Sequence, residues 1–297
     1  MPGGRAASGA DGVLRQRLLS AAILVPVVVA IFLLGRPFID GFLVVVAALA
    51  AWETFALLRR ARYRAFPLYG TLLAAALVVA GAVVPAVWPA GSAGAAGPVL
   101  VAVPAVGILL AGAAALWVPD PRDGFAAWIG TSFGAVYVGL LAFAPLLMAI
   151  APPLDSGALL GALGPGRGWL LVLIAAVWSY DSFAYAFGRA FGRRRFLQHV
   201  SPSKTYAGLA GGLAGAVVVA ALVLAGLGRS PLEGIPVGLL VGLCAQAGDL
   251  AESMLKRAAD AKDSGRLIPG HGGMLDRVDS FLFAAPVLAA YVALAPR

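Results

Sequence analysis

The chain has few cysteines and few charged residues. Its one cysteine, Cys244, excludes an intrachain disulfide framework and a cysteine-rich metal cluster. Only 12% of the residues are charged, whereas an ordinary globular domain carries about 25%. The sequence therefore has too little polar surface to cover a water-soluble particle of 297 residues.

Long apolar runs take the place of the missing charge, since 61% of the residues are hydrophobic. A helix that crosses a bilayer needs about 20 apolar residues, and nine segments approach that length. We therefore predict an all-α, polytopic integral membrane protein with about nine transmembrane helices. The predicted spans are Leu18–Leu34, Phe38–Leu58, Leu68–Trp88, Pro98–Leu116, Trp128–Ile150, Trp169–Phe187, Tyr206–Gly226, Gly234–Leu250 and Phe281–Leu294.

The positive charges predict how these spans face. If the N-terminus lies inside, 18 Lys and Arg residues fall in inside segments and 4 in outside segments. Cytoplasmic loops carry the positive excess, so we expect a multi-pass protein of the inner, cytoplasmic membrane with its N-terminus in the cytoplasm. Residues 1–17 would form a cytosolic tail, residues 18–168 the N-terminal transmembrane helices, and residues 169–297 a C-terminal catalytic transmembrane region with motif loops on the cytosolic side.

Acidic residues are scarce, but they gather near the C-terminal end of the chain. Six of the 14 lie between residues 249 and 279. Ionisable groups at membrane depth are costly unless they are paired, hydrated or metal-bound, so these acids are functional candidates. On a helix that ends near Arg257, positions 249, 252, 253 and 256 share one face with two carboxylates, a hydroxyl and an ammonium. Asp276 and Asp279 share a face at the start of the last helix.

A glycine-rich segment lies between these two acidic helix ends. It contains Lys262-Asp263-Ser264-Gly265 and then Pro269-Gly270-His271-Gly272-Gly273, a run that favours a loop over a helix. Backbone N–H groups at such glycines can approach an anionic ligand closely. Two carboxylates from each helix end predict a site for a hard cation such as Mg²⁺, which commonly bridges protein oxygens to substrate phosphates. The alternative is that the acids form surface salt bridges with neighbouring Lys and Arg.

A second polar stretch lies between the sixth and seventh spans. It runs from Asp181 through Arg193–Arg195 to Ser201-Pro202-Ser203-Lys204-Thr205. We predict that Ser201 or Ser203 caps the following helix, with Pro202 as an early helical residue. A helix N-terminus with Ser, Lys and Thr favours phosphate binding over a purely structural cap. Lipid-headgroup binding and positive-inside orientation explain the arginine cluster equally well.

The lysines support the choice of these two stretches. The chain has three, Lys204, Lys256 and Lys262, and all of them fall there. The compact ammonium of lysine suits phosphate oxygens. The roles of two other residues stay open. His271 is a candidate hydrogen-bond donor to phosphate, a turn residue or a general base. Glu53 either pairs with an arginine such as Arg59 or supports the acidic site from behind.

The C-terminal motif resembles the signature of the phosphatidate cytidylyltransferases, or CDP-diacylglycerol synthases. The matching residues are Ser253-x-x-Lys256-Arg257, then Lys262-Asp263-x-Gly265, then Pro269-x-His271-Gly272-Gly273-x-x-Asp276-Arg277-x-Asp279. The upstream stretches around Asp181 and Ser201–Thr205 are similar to the same family, and the likeness extends from about residue 15 to the end. The chain departs from the family at Ser203 and Ala207, where a lysine and a glutamate are more usual.

The resemblance implies that CTP and phosphatidate react to give CDP-diacylglycerol and pyrophosphate, a step of phospholipid biosynthesis. It also implies Mg²⁺, a monovalent cation such as K⁺ nearby, and a homodimer. By the family's pattern the metal-binding carboxylates fall on Asp249 and Asp276, with Asp279 and Asp181 close to them.

The chemistry of that reaction suggests roles for the other residues. The phosphate of phosphatidate is already an anionic nucleophile, so the barrier is the repulsion between anions, which metal ions and fixed cations lower. We predict the metal ligands Asp249, Asp276 and Asp279. The other candidate catalytic residues are Lys256, Asp263, His271 and Arg277. The candidate substrate-binding residues are Asp181, Ser201, Lys204, Thr205, Lys262, Gly270, Gly272 and Gly273.

Two other functions compete with this one. A CTP-dependent polyprenol kinase, or a cytidylyltransferase for another lipid phosphate, would keep the same architecture and change the acceptor. An ion-coupled transporter would also use buried acids, but near the bilayer midplane and often between inverted repeats. Here the acids are predicted at the cytosolic ends of helices, and no convincing repeat is visible in the sequence.

Overall fold

The computed structural model of the chain describes Ser20, residues 22–87 and residues 93–294. In this part of the chain the only β-type pairings are two isolated bridges, Arg195–Thr205 and Ile268–Gly272, which confirms the all-α prediction. The helices are α1 (Ala22–Leu34), α2 (Phe38–Arg60), α3 (Pro67–Val87), α4 (Ala93–Ala115), α5 (Pro121–Gly139), α6 (Phe143–Ile150), α7 (Gly164–Phe191), α8 (Tyr206–Gly226), α9 (Gly234–Ala258) and α10 (Leu275–Leu294).

Eight helical segments are long and apolar enough to cross a membrane. They match eight of the nine predicted spans, with α5 and α6 joined through a 3₁₀ turn into one segment, Pro121–Ile150. The first predicted span, Leu18–Leu34, begins outside the described residues, and its described part is the shorter apolar helix α1. The predicted tail, residues 1–17, also lies outside the described residues. The chain is a multi-pass membrane protein.

Two of the helices extend beyond their predicted spans into the acidic motif. The α9 helix continues to Ala258, two turns past the predicted end at Leu250, and α10 begins at Leu275 instead of Phe281. Hydropathy detects only the apolar turns, whereas backbone hydrogen bonds continue through the polar ones. Asp249, Glu252, Asp276 and Asp279 therefore stand on helix ends, which hold their side chains more rigidly than a loop would, whereas Asp263 lies in the loop between them.

Two apolar clusters hold these helix ends in place. The first cluster lies among helices α6, α7, α8, α9 and α10, around fully buried side chains such as Trp169, Tyr180 and Leu224. The second joins α2, α3 and α5 to the polar ends of α9 and α10 through Phe55 and Leu275. Because α9 and α10 belong to both clusters, the N-terminal helices support the part of the chain that carries the acidic motif.

Backbone contact between α9 and α10 depends on Gly248. A Cβ atom at this position would overlap the carbonyl oxygen of Asp279 and would lie 3.1 Å from the Cα of Ser280. The absence of a side chain therefore lets the two helices cross in direct contact. The next residue on α9 is Asp249, so this crossing sets the separation between the carboxylates of Asp249 and Asp279.

We predict that Gly248→Ala lowers thermal stability, because the added methyl group forces α9 and α10 apart. Overpacking of this kind typically costs about 1–3 kcal/mol. The measurement is thermal unfolding of the purified protein in detergent. The matched control is Gly41→Ala in α2, where no atom lies within 4 Å of the added Cβ and where alanine is the better helix former. Equal melting temperatures for the two variants would contradict the proposed close contact.

Candidate active site

A cavity of about 470 Å³ lies where the polar ends of α7, α9 and α10 meet the α7–α8 loop. Its wall combines carboxylates from three helices with a lysine from that loop. Such a mixture suits a ligand that carries phosphate groups and arrives with a cation. The charged residues that line the cavity are Asp181, Arg189, Lys204, Asp249, Asp276 and Asp279.

Three carboxylates converge at the crossing of α9 and α10. One oxygen each from Asp249, Glu252 and Asp279 lies within 4.8 Å of the others. Asp249 and Glu252 are three residues apart and so share a face of α9, while Asp279 comes from the first turns of α10. We call these three residues the carboxylate triad.

The carboxylate triad fits a hard divalent cation. Glu252 is fully buried, and its Oε1 atom has no hydrogen-bond partner within the described part of the chain. Three carboxylates at this separation repel each other, and a buried anionic oxygen without a partner is costly. Mg²⁺ takes oxygen ligands and tolerates few dedicated protein ligands beside its waters and substrate phosphates. The donor set is thus suited to Mg²⁺.

Asp276, a predicted metal ligand, is held by several hydrogen bonds. Its Oδ2 atom accepts hydrogen bonds from the backbone N–H groups of Ser264 (2.9 Å) and Gly273 (2.9 Å), and it lies 2.8 Å from the hydroxyl oxygen of Ser264. Its Oδ1 atom accepts from the Lys256 ammonium at 2.7 Å. Both oxygens are therefore engaged by protein donors, and the group of mutually close carboxylates contains Glu252 and not Asp276. Metal binding by Asp276 stays a prediction.

Two lysines offset the negative charge of the site. Lys204 forms an ion pair with Asp249 and links the α7–α8 loop to α9. Lys256 forms ion pairs with Glu252, one turn earlier on α9, and with Asp276 at the start of α10. The position of the Lys204 ammonium is thus set by the α7–α8 loop and α9, and that of the Lys256 ammonium by α9 and α10.

The cap of α8 is Thr205, so the prediction of Ser201 or Ser203 was wrong. The hydroxyl of Thr205 accepts a hydrogen bond from the N–H of Gly208 at 3.1 Å. The backbone pairing of Thr205 with Arg195 keeps the chain extended up to this residue, so the helix begins only at Tyr206. Both Thr205 and Lys204 consequently lie at the cavity wall, while Ser201 is buried outside it.

The glycine-rich segment forms a tight loop that is fastened to Asp276. The N–H of Ile268 donates to the carbonyl of Gly272 (2.9 Å), and the N–H of His271 donates to the carbonyl of Ile268 (2.9 Å). Gly272 has a φ of +87°, which a residue with a side chain rarely adopts. At least two N–H groups of this loop, those of His271 and Gly273, therefore serve the protein's own fold. The sequence had predicted that backbone N–H groups of this glycine-rich segment approach an anionic ligand.

The remaining predicted residues lie around the loop and outside the cavity wall. The Nδ1 atom of His271 lies 2.8 Å from the hydroxyl of Ser20, and its carbonyl accepts from Arg277 at 2.8 Å. Lys262, Asp263 and Arg277 are exposed. The other predicted residues of the loop that do not line the wall are Gly270, Gly272 and Gly273, and the Arg193–Arg195 cluster is exposed on the α7–α8 loop.

Several residues of the site were assigned no role from the sequence. Gln246 lines the cavity three residues before Asp249, and its Oε1 atom accepts from the hydroxyl of Tyr180 at 2.7 Å. Because residues three apart share a face of a helix, this spacing already indicates that Gln246 lies on the same side of α9 as Asp249. Ser264 was also given no role, and it contacts Glu53 at 2.9 Å across a separation of 211 residues. Of the two expectations for Glu53, this contact agrees with support of the acidic site from behind and not with an arginine pair.

Comparison with known proteins places this site in a family. A family model described as "Cytidylyltransferase family" matches residues 15–295. Over 184 residues the chain is 40% identical to the phosphatidate cytidylyltransferase of Brucella abortus, and the aligned region covers 62% of this chain and 63% of the relative. The enzymes of the same name from Bacillus subtilis and Synechocystis are 42% identical over 131 residues and 44% identical over 126 residues.

The similarity to these relatives is partial along their length. The chain spans 63% of the Brucella relative, 49% of the Bacillus relative and 43% of the Synechocystis relative. The family match, in contrast, covers almost the whole chain, including every helix that contributes to the cavity. The chain belongs to the cytidylyltransferase family.

Proposed function

We propose that the protein transfers the cytidylyl group of CTP to phosphatidate, giving CDP-diacylglycerol and pyrophosphate. The observation that supports this most strongly is the carboxylate triad, two members of which, Asp249 and Asp279, line a cavity together with Lys204 at the polar end of a membrane bundle. The match to the cytidylyltransferase family and the relatives named phosphatidate cytidylyltransferase support the choice of CTP and phosphatidate as substrates. The proposed enzyme is a nucleotidyltransferase of phospholipid biosynthesis.

The reaction requires no nucleophile from the protein. An oxygen of the phosphatidate phosphate attacks the α-phosphorus of CTP and forms the new P–O bond. The bond from the α-phosphorus to the bridging oxygen breaks, and pyrophosphate leaves with that electron pair. The protein's tasks are to bring two anions together, to hold them in line and to stabilise the departing charge.

The residues of the site suit these tasks. Asp249, Glu252 and Asp279 would hold Mg²⁺, which when bound neutralises phosphate oxygens and stabilises the leaving pyrophosphate. Lys204 pairs with Asp249 at the cavity wall and would bind the phosphate oxygens directly. Lys256 pairs with Glu252 outside the cavity lining, and its action on phosphates stays a prediction. Asp276 keeps Lys256 and the glycine-rich loop in place. The K⁺ ion and the homodimer implied by the family resemblance stay predictions.

We infer that the site opens on the cytoplasmic side. The excess of Lys and Arg in alternate loops supports this orientation, and CTP is a cytoplasmic nucleotide. The wall of the cavity includes Tyr185 and Arg189 of α7, both of which are exposed on the helix surface. A lipid in the inner leaflet could therefore enter sideways past α7, with its phosphate directed to Lys204.

We predict that the α-phosphate of CTP appears in the lipid product. Purified protein in detergent, supplied with phosphatidate, Mg²⁺ and CTP labelled at the α-phosphate, should yield a labelled lipid and unlabelled pyrophosphate. A CTP-dependent kinase would transfer only the γ-phosphate and leave the lipid unlabelled. A transporter would give no turnover without an ion gradient. Either of these results would exclude the proposed function.

We predict that Asp249→Asn and Asp276→Asn each abolish turnover while the protein still inserts and folds. Asp249→Asn removes a charge from the proposed metal site, whereas Asp276→Asn releases Lys256 and the glycine-rich loop. Binding of Mn²⁺ to the purified protein, measured without turnover, should consequently weaken more in Asp249→Asn than in Asp276→Asn. Comparable weakening in both variants would place Asp276 among the metal ligands.

The matched control for these two variants is Asp260→Asn. Asp260 follows α9 in the same segment, is exposed, and has a φ of +48°, a conformation that asparagine tolerates well. We expect wild-type turnover and an unchanged Mg²⁺ requirement in this variant. A large loss of rate in Asp260→Asn would mean that any acid in the segment matters, which would contradict the specific role given to the carboxylate triad.

A further inference from the structure

Glu53 is a buried acid in the N-terminal half of the chain, and the chemistry proposed above does not use it. It lies on α2 with 8% of its surface exposed. Among the described residues, no Lys, Arg or His forms an ion pair with it, although Arg59 was a candidate partner. An acid held inside a membrane protein without a cation needs strong hydrogen-bond donors. The groups that donate to Glu53 therefore indicate its structural role.

The donors to Glu53 come from the two ends of the glycine-rich loop. Its Oε2 atom accepts from the hydroxyl of Ser264 and from the backbone N–H of Leu275, each at 2.9 Å. Leu275 is the first residue of α10. The first N–H groups of a helix have no partner within the helix and carry its positive end, so Glu53 acts as an N-terminal cap supplied by a different helix.

The shape of the loop is matched to the same carboxylate. A Cβ atom on Gly265 would overlap Oε1 of Glu53, and one on Gly273 would overlap Oε2. The loop backbone thus closes around the Glu53 side chain from both sides. The glycines at these two positions are explained by this contact, without any approach of the loop to a ligand.

A continuous set of contacts connects Glu53 to the carboxylate triad. The Ser264 hydroxyl that contacts Glu53 also lies 2.8 Å from Oδ2 of Asp276. Asp276 holds Lys256 at 2.7 Å through its other oxygen, and Lys256 pairs with Glu252. Each member of this set is buried or half-buried, where hydrogen bonds are little weakened by water.

We propose that Glu53 is a positioning residue for the cytidylyl transfer, which it controls by fixing the glycine-rich loop and the start of α10. This inference rests on the proposed function. Glu53 touches neither the cavity wall nor a reacting group, so its effect passes through Ser264, Asp276 and Lys256. Loss of its acceptor oxygens should lower the rate of the chemical step without removing the cavity or the carboxylate triad.

The test compares two substitutions of similar volume. Glu53→Met removes both acceptor oxygens, and Glu53→Gln keeps one. We expect kcat to fall roughly 10- to 100-fold in Glu53→Met, the range expected for a small displacement of catalytic groups, with a smaller change in KM for CTP. Glu53→Gln should retain most of the wild-type rate. The control is Thr54→Val, at the next position of α2, where the hydroxyl donates to the carbonyl of Ala50 in the same helix and to no other group of the described residues.

Hydrogen exchange supplies a readout that does not depend on turnover. Amides between residues 264 and 276 should exchange faster in Glu53→Met than in the wild type and Glu53→Gln, while those of α8 stay unchanged. Unaltered exchange and kcat in Glu53→Met would overturn the inference, as would equal losses in Glu53→Gln and Glu53→Met. If the wild type forms no CDP-lipid, the proposed function fails, but the exchange result still decides whether Glu53 holds the loop.

A second variant covers the case in which Glu53→Met does not fold. Ser264→Ala removes one hydroxyl from the loop and leaves α2 intact, so it breaks the same path with little change in packing. We expect it to lower kcat in the same direction as Glu53→Met. In the double variant the two losses should not add, because both act on one set of contacts. A wild-type rate in Ser264→Ala, or fully additive losses, would contradict the path.

Discussion

The concentration of negative charge at the crossing of α9 and α10 is the constraint on which the rest of the structure depends. Asp249, Glu252 and Asp279 lie close together beside an apolar bundle, where charges are weakly screened and expensive to leave unpaired. Lys204 and Lys256 offset part of this charge. The negative charge that the lysines leave unbalanced favours a bound cation, and the cavity wall also carries the ammonium group of Lys204. Together these two features make the site suitable for phosphate chemistry.

Rigidity at this crossing comes from both halves of the chain. The C-terminal helices supply the acids and, at Gly248, a backbone contact that leaves no room for a side chain. The N-terminal helices supply the apolar cluster around Phe55 and the buried carboxylate of Glu53. They therefore do more than cross the membrane, because they also brace the loop that joins α9 to α10.

The sequence predicted the features that depend on composition and on helical spacing. The spans followed from runs of about 20 apolar residues, and the shared face of Asp249, Glu252 and Lys256 followed from the helical repeat. The engagement of Asp276 could not be predicted, because its donors, Ser264 and Gly273, belong to irregular backbone. For Glu53 the sequence left two roles open, an arginine pair or support of the acidic site, and it could not decide between them because the deciding contact joins residues 211 positions apart.

The central claim is that Asp249, Glu252 and Asp279 bind a divalent ion at the crossing of α9 and α10. Anomalous scattering from crystals of the protein grown with Mn²⁺ in place of Mg²⁺ tests it most directly, because it locates the ion without reference to activity. The account predicts a peak within bonding distance of oxygens from all three residues. A peak coordinated by Asp276 without Glu252, or no peak near the cavity, would contradict it.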